Sequence, residues 1–329
     1  MNFSLDRKIG DGGFGCVYMG MLPDGREVAI KRKSVDSHDR GMEEFRAEVT
    51  IHSLLHHKHI VRLIGCCVVE KEERRLSFRK KIMVEEEQLL VFEYMKNGSL
   101  FDHLHGPSTS SFSSPVTASW KTRIQILLGL SRAIDYLHSY AVPAVIHCDI
   151  KSSNILLDSS WSPRLSGFGL AVSSDEAECG DISTRGTMGY LDPEFACTST
   201  LNPTSDIYSF GVVMLEVLTG KKPSFNLDWE GGEHPALPLI NAGELRKVLD
   251  KRPAAEPTPR QLEAADLVAR TAAHCLQRGG KDRPAMSDVM ANLQAALELV
   301  CCDELEHVPA DKLESVPQST YQRHKKTNI

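Results

Sequence analysis

The residues able to do chemistry fall into separate groups along a chain of 329 residues. In "IGDGGFG", Gly10, Gly12 and Gly15 have G-x-G-x-x-G spacing, and glycines let a backbone approach phosphate oxygens and aim N–H groups at them. A dinucleotide site would need a helix directly after the third glycine; here Val17 and Tyr18 continue as strand, so the loop reads as a flap over phosphates. Lys31 ends the run "EVAIK", from which an ammonium reaches a nucleotide's α- and β-phosphates if a carboxylate holds it. Glu48 is the candidate carboxylate, although Lys31 alone is also compatible with an exposed strand-end lysine. In "VIHCDIKSSNILLD", Asp149, Lys151 and Asn154 stand at D-x-K-x-x-N spacing on a loop between apolar runs.

The elements that must position these groups are readable in outline. Residues 9–31 alternate β-branched residues with turn signals, which predicts a hairpin followed by a third strand. In "EEFRAEVTIHSLLHH", Phe45, Val49 and the later leucines predict an amphipathic helix that presents Glu48 to the sheet. Residues 70–88 carry mixed charge and read as a solvated insertion in a strand–strand connection; within it, "RRLS" makes Ser77 a candidate phosphorylation site. "LLVFEYMKNGSL" reads as a buried strand leaving through an Asn-Gly turn, a hinge whose backbone is placed to hydrogen-bond an adenine. The Ser- and Pro-rich residues 106–119 read as an exposed loop. After them Ile124, Leu127, Leu128, Ile134 and Leu137 have helical spacing, and the chain is mostly helical from there. Residues 301–329 have little apolar periodicity and are expected to be disordered.

Composition narrows the class. A net charge of −6 gives no general attraction for nucleic acid or anionic lipid. Nine cysteines, odd in number and without a C-x-x-C pair, point away from a disulfide framework or a zinc site and toward a reducing, cytoplasmic setting. No apolar stretch is long enough to span a bilayer. Cys16 reads as an ordinary strand residue, and the Cys301–Cys302 doublet as two reduced thiols, with acylation as the alternative.

Taken together and in this order, the glycine flap, Lys31, Glu48 and the D-x-K-x-x-N loop resemble a eukaryotic protein kinase over roughly residues 3–298. "FSLDRKIGDGGFG", "LPDGREVAIKR", "YAVPAVIHCDIKSSNILLD", "AGELRKVLD" and "ANLQAALEL" are similar to the crinkly-related receptor-like kinases of plants. The resemblance implies an α+β bilobal fold: an N-lobe over residues 1–95, a C-lobe over 96–300 and a tail over 301–329. It implies ATP against Gly10, Gly12, Gly15, Val17, Ala29, Lys31, Glu48 and the hinge residues Glu93 and Met95. Asp149 would orient the substrate hydroxyl, Lys151 would steady the transferring phosphoryl group, and Asn154 would bind Mg²⁺ or Mn²⁺. In "GTMGYLDPEF", Thr187 would sit near Asp149 and Lys151, which with Lys151 suits Ser/Thr substrates. Glu194 would pair with Arg283, and Asp206 would support the catalytic-loop backbone. The implied partners are a protein substrate or a signalling protein such as a receptor kinase, at the inner face of the plasma membrane if a partner or an upstream segment brings the chain there.

Two positions depart from that pattern. Cys148 stands where many kinases carry an arginine that receives a phosphorylated activation segment, so phosphorylation at Ser183 or Thr184 is expected to switch the protein weakly by that route. Gly167 of "RLSGFGLAV" stands where the family has the metal-binding Asp of D-F-G. Gly167 and Gly169 also flank Phe168 with unrestricted backbones, which is expected to loosen the segment. Two readings remain: a Ser/Thr kinase with a weakened metal site, and a pseudokinase that binds ATP or partners.

Overall fold

The computed structural model describes residues 3–12, 15–32, 40–71, 85–106, 114–178, 185–223 and 234–306. Ser77, Ser183, Thr184 and residues 307–329 lie outside these.

The N-terminal part is a five-stranded antiparallel sheet in the order β1-β2-β3-β5-β4, with one helix packed on it. Its strands are β1 (Lys8–Gly12), β2 (Gly15–Met21), β3 (Glu27–Arg32), β4 (Leu63–Lys71) and β5 (Glu85–Glu93), and the helix is α1 (Arg40–Leu54). Period-two alternation sends Val28 and Ile30 into the buried layer and leaves Ala29 and Lys31 on the opposite face. Lys31 is centred in the sheet, opposite Val17 on one side and Leu90 on the other.

The C-terminal part is mainly helical: α2 (Leu100–His105), α3 (Pro115–Ala118), α4 (Trp120–Ser139), α5 (Ser174–Glu178), α6 (Pro193–Thr198), α7 (Pro203–Thr219), α8 (Leu237–Asn241), α9 (Pro259–Cys275) and α10 (Met286–Glu306). Short strands interrupt it: β6 (Val145–Ile146) pairs with β9 (Val172–Ser173), and β7 (Ile155–Leu157) with β8 (Pro163–Leu165). The five apolar positions anticipated on α4 are all buried, as is Arg123 immediately before the first of them. Arg123 donates to the carbonyls of Val116 and Val217 and to Asp250, each at 2.6 Å, so burial of its charge is matched by acceptors.

Helix α7 is the axis of this part. Asn202 caps it by accepting from the Thr204 N–H, Pro203 occupies its first turn, and Gly220 ends it at φ 63°. Every residue from Ser205 to Thr219 is buried. A Cβ at Gly211 would lie 2.8 Å from Cys275 Cβ, so glycine there allows α9 to approach.

Two expected loops and the expected tail give up residues to regular elements. Strands β4 and β5 run on to the Lys71–Glu85 pair, so both ends of the 70–88 insertion belong to the sheet. Within 106–119, Ser114 and Pro115 start α3, and Val116 is fully buried. The final helix continues to Glu306, carrying Cys301 and Cys302, where disorder was expected. Its last turns are held by Asp303, which accepts from Thr258 and Gln261, and by the Lys121–Glu304 pair.

Candidate functional site

The site lies between the two parts, where β1–β3, α1, the hinge after β5 and the loop before β7 converge. Gly12 and Gly15 face each other across the β1–β2 hairpin, Gly15 at φ 131°, a conformation suited to glycine. Lys31 Nζ lies 2.6 Å from Glu48 Oε2, and Glu48 is only 3% exposed. A buried carboxylate needs a cation, so Lys31 and Glu48 fix α1 against the sheet. Ala29 packs beside Leu90, Phe92 and Met95 at the hinge. The Glu93 carboxylate accepts from the Arg62 N–H at 2.8 Å.

Below the hinge, Asp149 gathers the other predicted residues. Its Oδ1 accepts from the Thr187 hydroxyl at 2.6 Å. Its Oδ2 lies 2.8 Å from Lys151 Nζ and accepts from Asn154 Nδ2 at 2.9 Å. Lys151 also donates to Thr187 Oγ1 at 2.7 Å, and Asn154 Nδ2 to the Asp149 carbonyl at 2.8 Å. Asp149, Lys151 and Thr187 therefore form a closed polar ring, to which Asn154 is joined through Asp149, itself 3% exposed.

The loop that carries them is shaped from α7. Asp206 accepts from the backbone N–H groups of His147 and Cys148 at 2.8 and 3.0 Å, and from His138 Nε2 at 2.8 Å. Burial alone would raise its pKa, but the His138 hydrogen bond and the nearby histidines outweigh it and hold the carboxyl below its ordinary value. Cys148 takes φ 66°, and burial pushes its thiol well above the usual range, so it stays a neutral thiol. A second buried carboxylate on α7, Glu216, accepts from His105, Ser152 and Tyr190 at 2.8, 2.7 and 2.8 Å. Sequence reasoning missed Glu216 because it stands in an apolar run and its partners come from three different elements.

Gly167 takes φ 83°, and a Cβ there would meet Asn154 Cγ at 2.7 Å. Phe168, between Gly167 and Gly169, is fully buried between the His52 and His147 rings, at centroid distances of 4.5 and 4.6 Å in edge-to-face packing. The Asn154 amide nitrogen is engaged by Asp149, leaving its Oδ1 as the side-chain oxygen on offer. Among the described residues no group of three or more His, Cys, Asp or Glu could hold a metal ion.

One expected pair is replaced. Arg283 is held by Asp192 at 2.6 and 2.9 Å, while Glu194 instead accepts from the Gly280 N–H. Asp192 wins because it caps α6 and accepts from Ser205, which fixes its carboxylate at the mouth of the arginine's socket. Cys16 donates to Asp11 at 3.4 Å and shares that carboxylate with Lys8.

Residues 3–293 match the protein kinase domain family. The chain is similar to three proteins of Arabidopsis thaliana. It is 45% identical to a serine/threonine-protein kinase-like protein, CCR3, over 91% of this chain and 37% of that one. It is 40% identical to the serine/threonine-protein kinase-like protein CCR4, over 90% and 39%. It is 38% identical to wall-associated receptor kinase-like 1, over 89% and 37%. The chain thus spans about two-fifths of the length of these relatives. Among the described residues no helix is long and apolar enough to cross a membrane.

Proposed function

The chain belongs to the protein kinase family, as a domain of the plant receptor-like serine/threonine type, and from that premise we propose that it transfers the γ-phosphoryl group of ATP to Ser or Thr hydroxyls of a signalling protein, slowed by Gly167. The observation that supports this reading is the ring around Asp149, alongside the separate Lys31–Glu48 pair. In it Asp149 accepts and orients the incoming hydroxyl, which takes the position next to Thr187. Lys151 places positive charge beside the transferring group, and Lys31 holds the nucleotide's inner phosphates. The hinge at Glu93 and Met95 receives the adenine, with Val17 and Ala29 on the sheet above it and Gly10, Gly12 and Gly15 over the phosphates.

The residues fit only part of a Mg²⁺ or Mn²⁺ site: Asn154 offers an oxygen and Gly167 offers no carboxylate. Charge stabilisation lost there is worth about 3–5 kcal/mol, which slows transfer roughly 10²–10⁴-fold. Gly167 is also the observation that favours the second reading, a pseudokinase that binds ATP or partners as a scaffold. A receptor kinase is the proposed signalling partner, at the cytoplasmic face of the plasma membrane.

Labelled-ATP transfer to the protein itself and to a generic basic protein, in Mg²⁺ and in Mn²⁺, separates the readings. Slow wild-type transfer that disappears in Asp149→Asn supports the kinase. A silent wild type beside an active Gly167→Asp supports the scaffold.

A further inference from the structure

The two ends of the hinge are attached to the β7–β8 hairpin in different ways. At the C-terminal end the attachment is a ladder: the Asn97 N–H donates to the Leu157 carbonyl at 3.0 Å, the Leu157 N–H to the Gly98 carbonyl at 2.8 Å, and Asn97 Nδ2 to the Asp158 carbonyl at 2.6 Å. At the N-terminal end Glu93 reaches the hairpin through charge. Arg164 of β8 spans two carboxylates, with Nη1 3.4 Å from Glu93 and Nη2 3.2 Å from Asp158. Asp158 is fixed on the β7–β8 turn, where it accepts from the N–H groups of Ser160 and Ser162 at 2.9 and 3.0 Å. Glu93 is joined in turn to Arg62: the Arg62 N–H donates to the Glu93 carboxylate, and the Glu93 N–H donates to the Arg62 carbonyl at 3.1 Å. The segment before Arg62 returns to β8 through Val61 and Leu165, at 2.9 Å. Glu93 and Arg164 therefore close a ring through the hinge, the segment entering β4, and β8.

We propose that Arg164 is a positioning residue for nucleotide binding: by holding the Glu93 carboxylate to β8, it fixes the hinge backbone at the angle that receives an adenine. The proposal rests on the nucleotide-binding part of the reading above. An ion pair with both partners about one-quarter to one-third exposed contributes modestly, so its loss lowers affinity without unfolding the protein.

The test is ATP affinity by thermal shift, with KM and kcat where transfer is measurable, for the full chain and for Arg164→Ala, Arg164→Lys, Glu93→Gln and Arg164→Ala/Glu93→Gln. Gln keeps the oxygen that Arg62 needs and removes the charge. Expected are a roughly two- to fivefold weaker ATP Kd in Arg164→Ala and in Glu93→Gln, and a double variant no weaker than the worse single one. Arg164→Lys should recover part of the loss, and kcat of Arg164→Ala should stay within about twofold of wild type. Unchanged ATP affinity in Arg164→Ala, or losses that simply add in the double variant, would overturn the proposal. ATP affinity is readable in a protein that transfers no phosphate, so a catalytically silent chain would count against the kinase reading alone.

Discussion

At the scale of single residues, Gly167 is the hardest position to reverse. Its φ of 83° strains any other residue, and a new Cβ would press on an Asn154 side chain already bonded twice to Asp149. Gly167→Asp is therefore expected to lower stability by about 1–3 kcal/mol even as it supplies a metal ligand. Thermal unfolding without nucleotide reads that cost, and Mg²⁺-dependent stabilisation of the same variant by ATP reads the gain. An unchanged melting temperature would mean that Asn154 moves aside freely. The polar contacts at this scale were partly legible: Lys31, Glu48, Asp149, Lys151 and Asn154 were singled out from type and order along the chain and Thr187 through the family resemblance, and the fold pairs Lys31 with Glu48 and gathers Lys151, Asn154 and Thr187 around Asp149. The sandwich of Phe168 between His52 and His147 was not, because ring packing across three segments leaves no local pattern.

At the scale of elements, the joint between α6 and the segment before α10 shows where the family resemblance misleads. Glu194 and Asp192 both stand in "LDPEF", and only the packed structure tells which of them faces the Arg283 socket. Asp192 and Arg283 are 2% and 7% exposed, so Asp192→Ala strands a buried guanidinium and should cost about 3–5 kcal/mol. Glu194→Ala removes the carboxylate that accepts from the Gly280 N–H and should cost about 1 kcal/mol. Urea unfolding of the two variants ranks them; the reverse order would restore the pairing expected from sequence. The same limit applies to α7, whose nearly unbroken apolar run announces burial but gives no face: Asp206 was expected to support the loop only through the family resemblance, and the role of Glu216 emerges only from its partners.

At the scale of the whole molecule, buried histidines tie stability to pH. Burial is the main cause that lowers His52 to about 4, against an ordinary value of 6.5. The unfolded chain then binds the proton more readily, so the contribution of neutral His52 is full above pH 6.5 and is lost as pH falls from there toward 4. The shift amounts to about 3 kcal/mol over that window. Urea midpoints should fall between pH 6.5 and 4, and less steeply in His52→Gln; equal slopes would remove His52 as the cause. The two-part architecture was legible because strand alternation gives way to helical spacing after the hinge, whereas the full length of α10 was not, since its last turns are held by Thr258, Gln261 and Lys121 from distant parts of the chain. Asp206 grips the loop before Asp149 by the N–H groups of His147 and Cys148, leaving the side chain at position 148 out of the grip. That grip acts on main-chain groups alone, but the left-handed φ of 66° and the packing of Cys148 against the Ile146–Val172 cluster still restrict which side chains position 148 can carry: a β-branched residue there would work against the very loop that Asp206 holds.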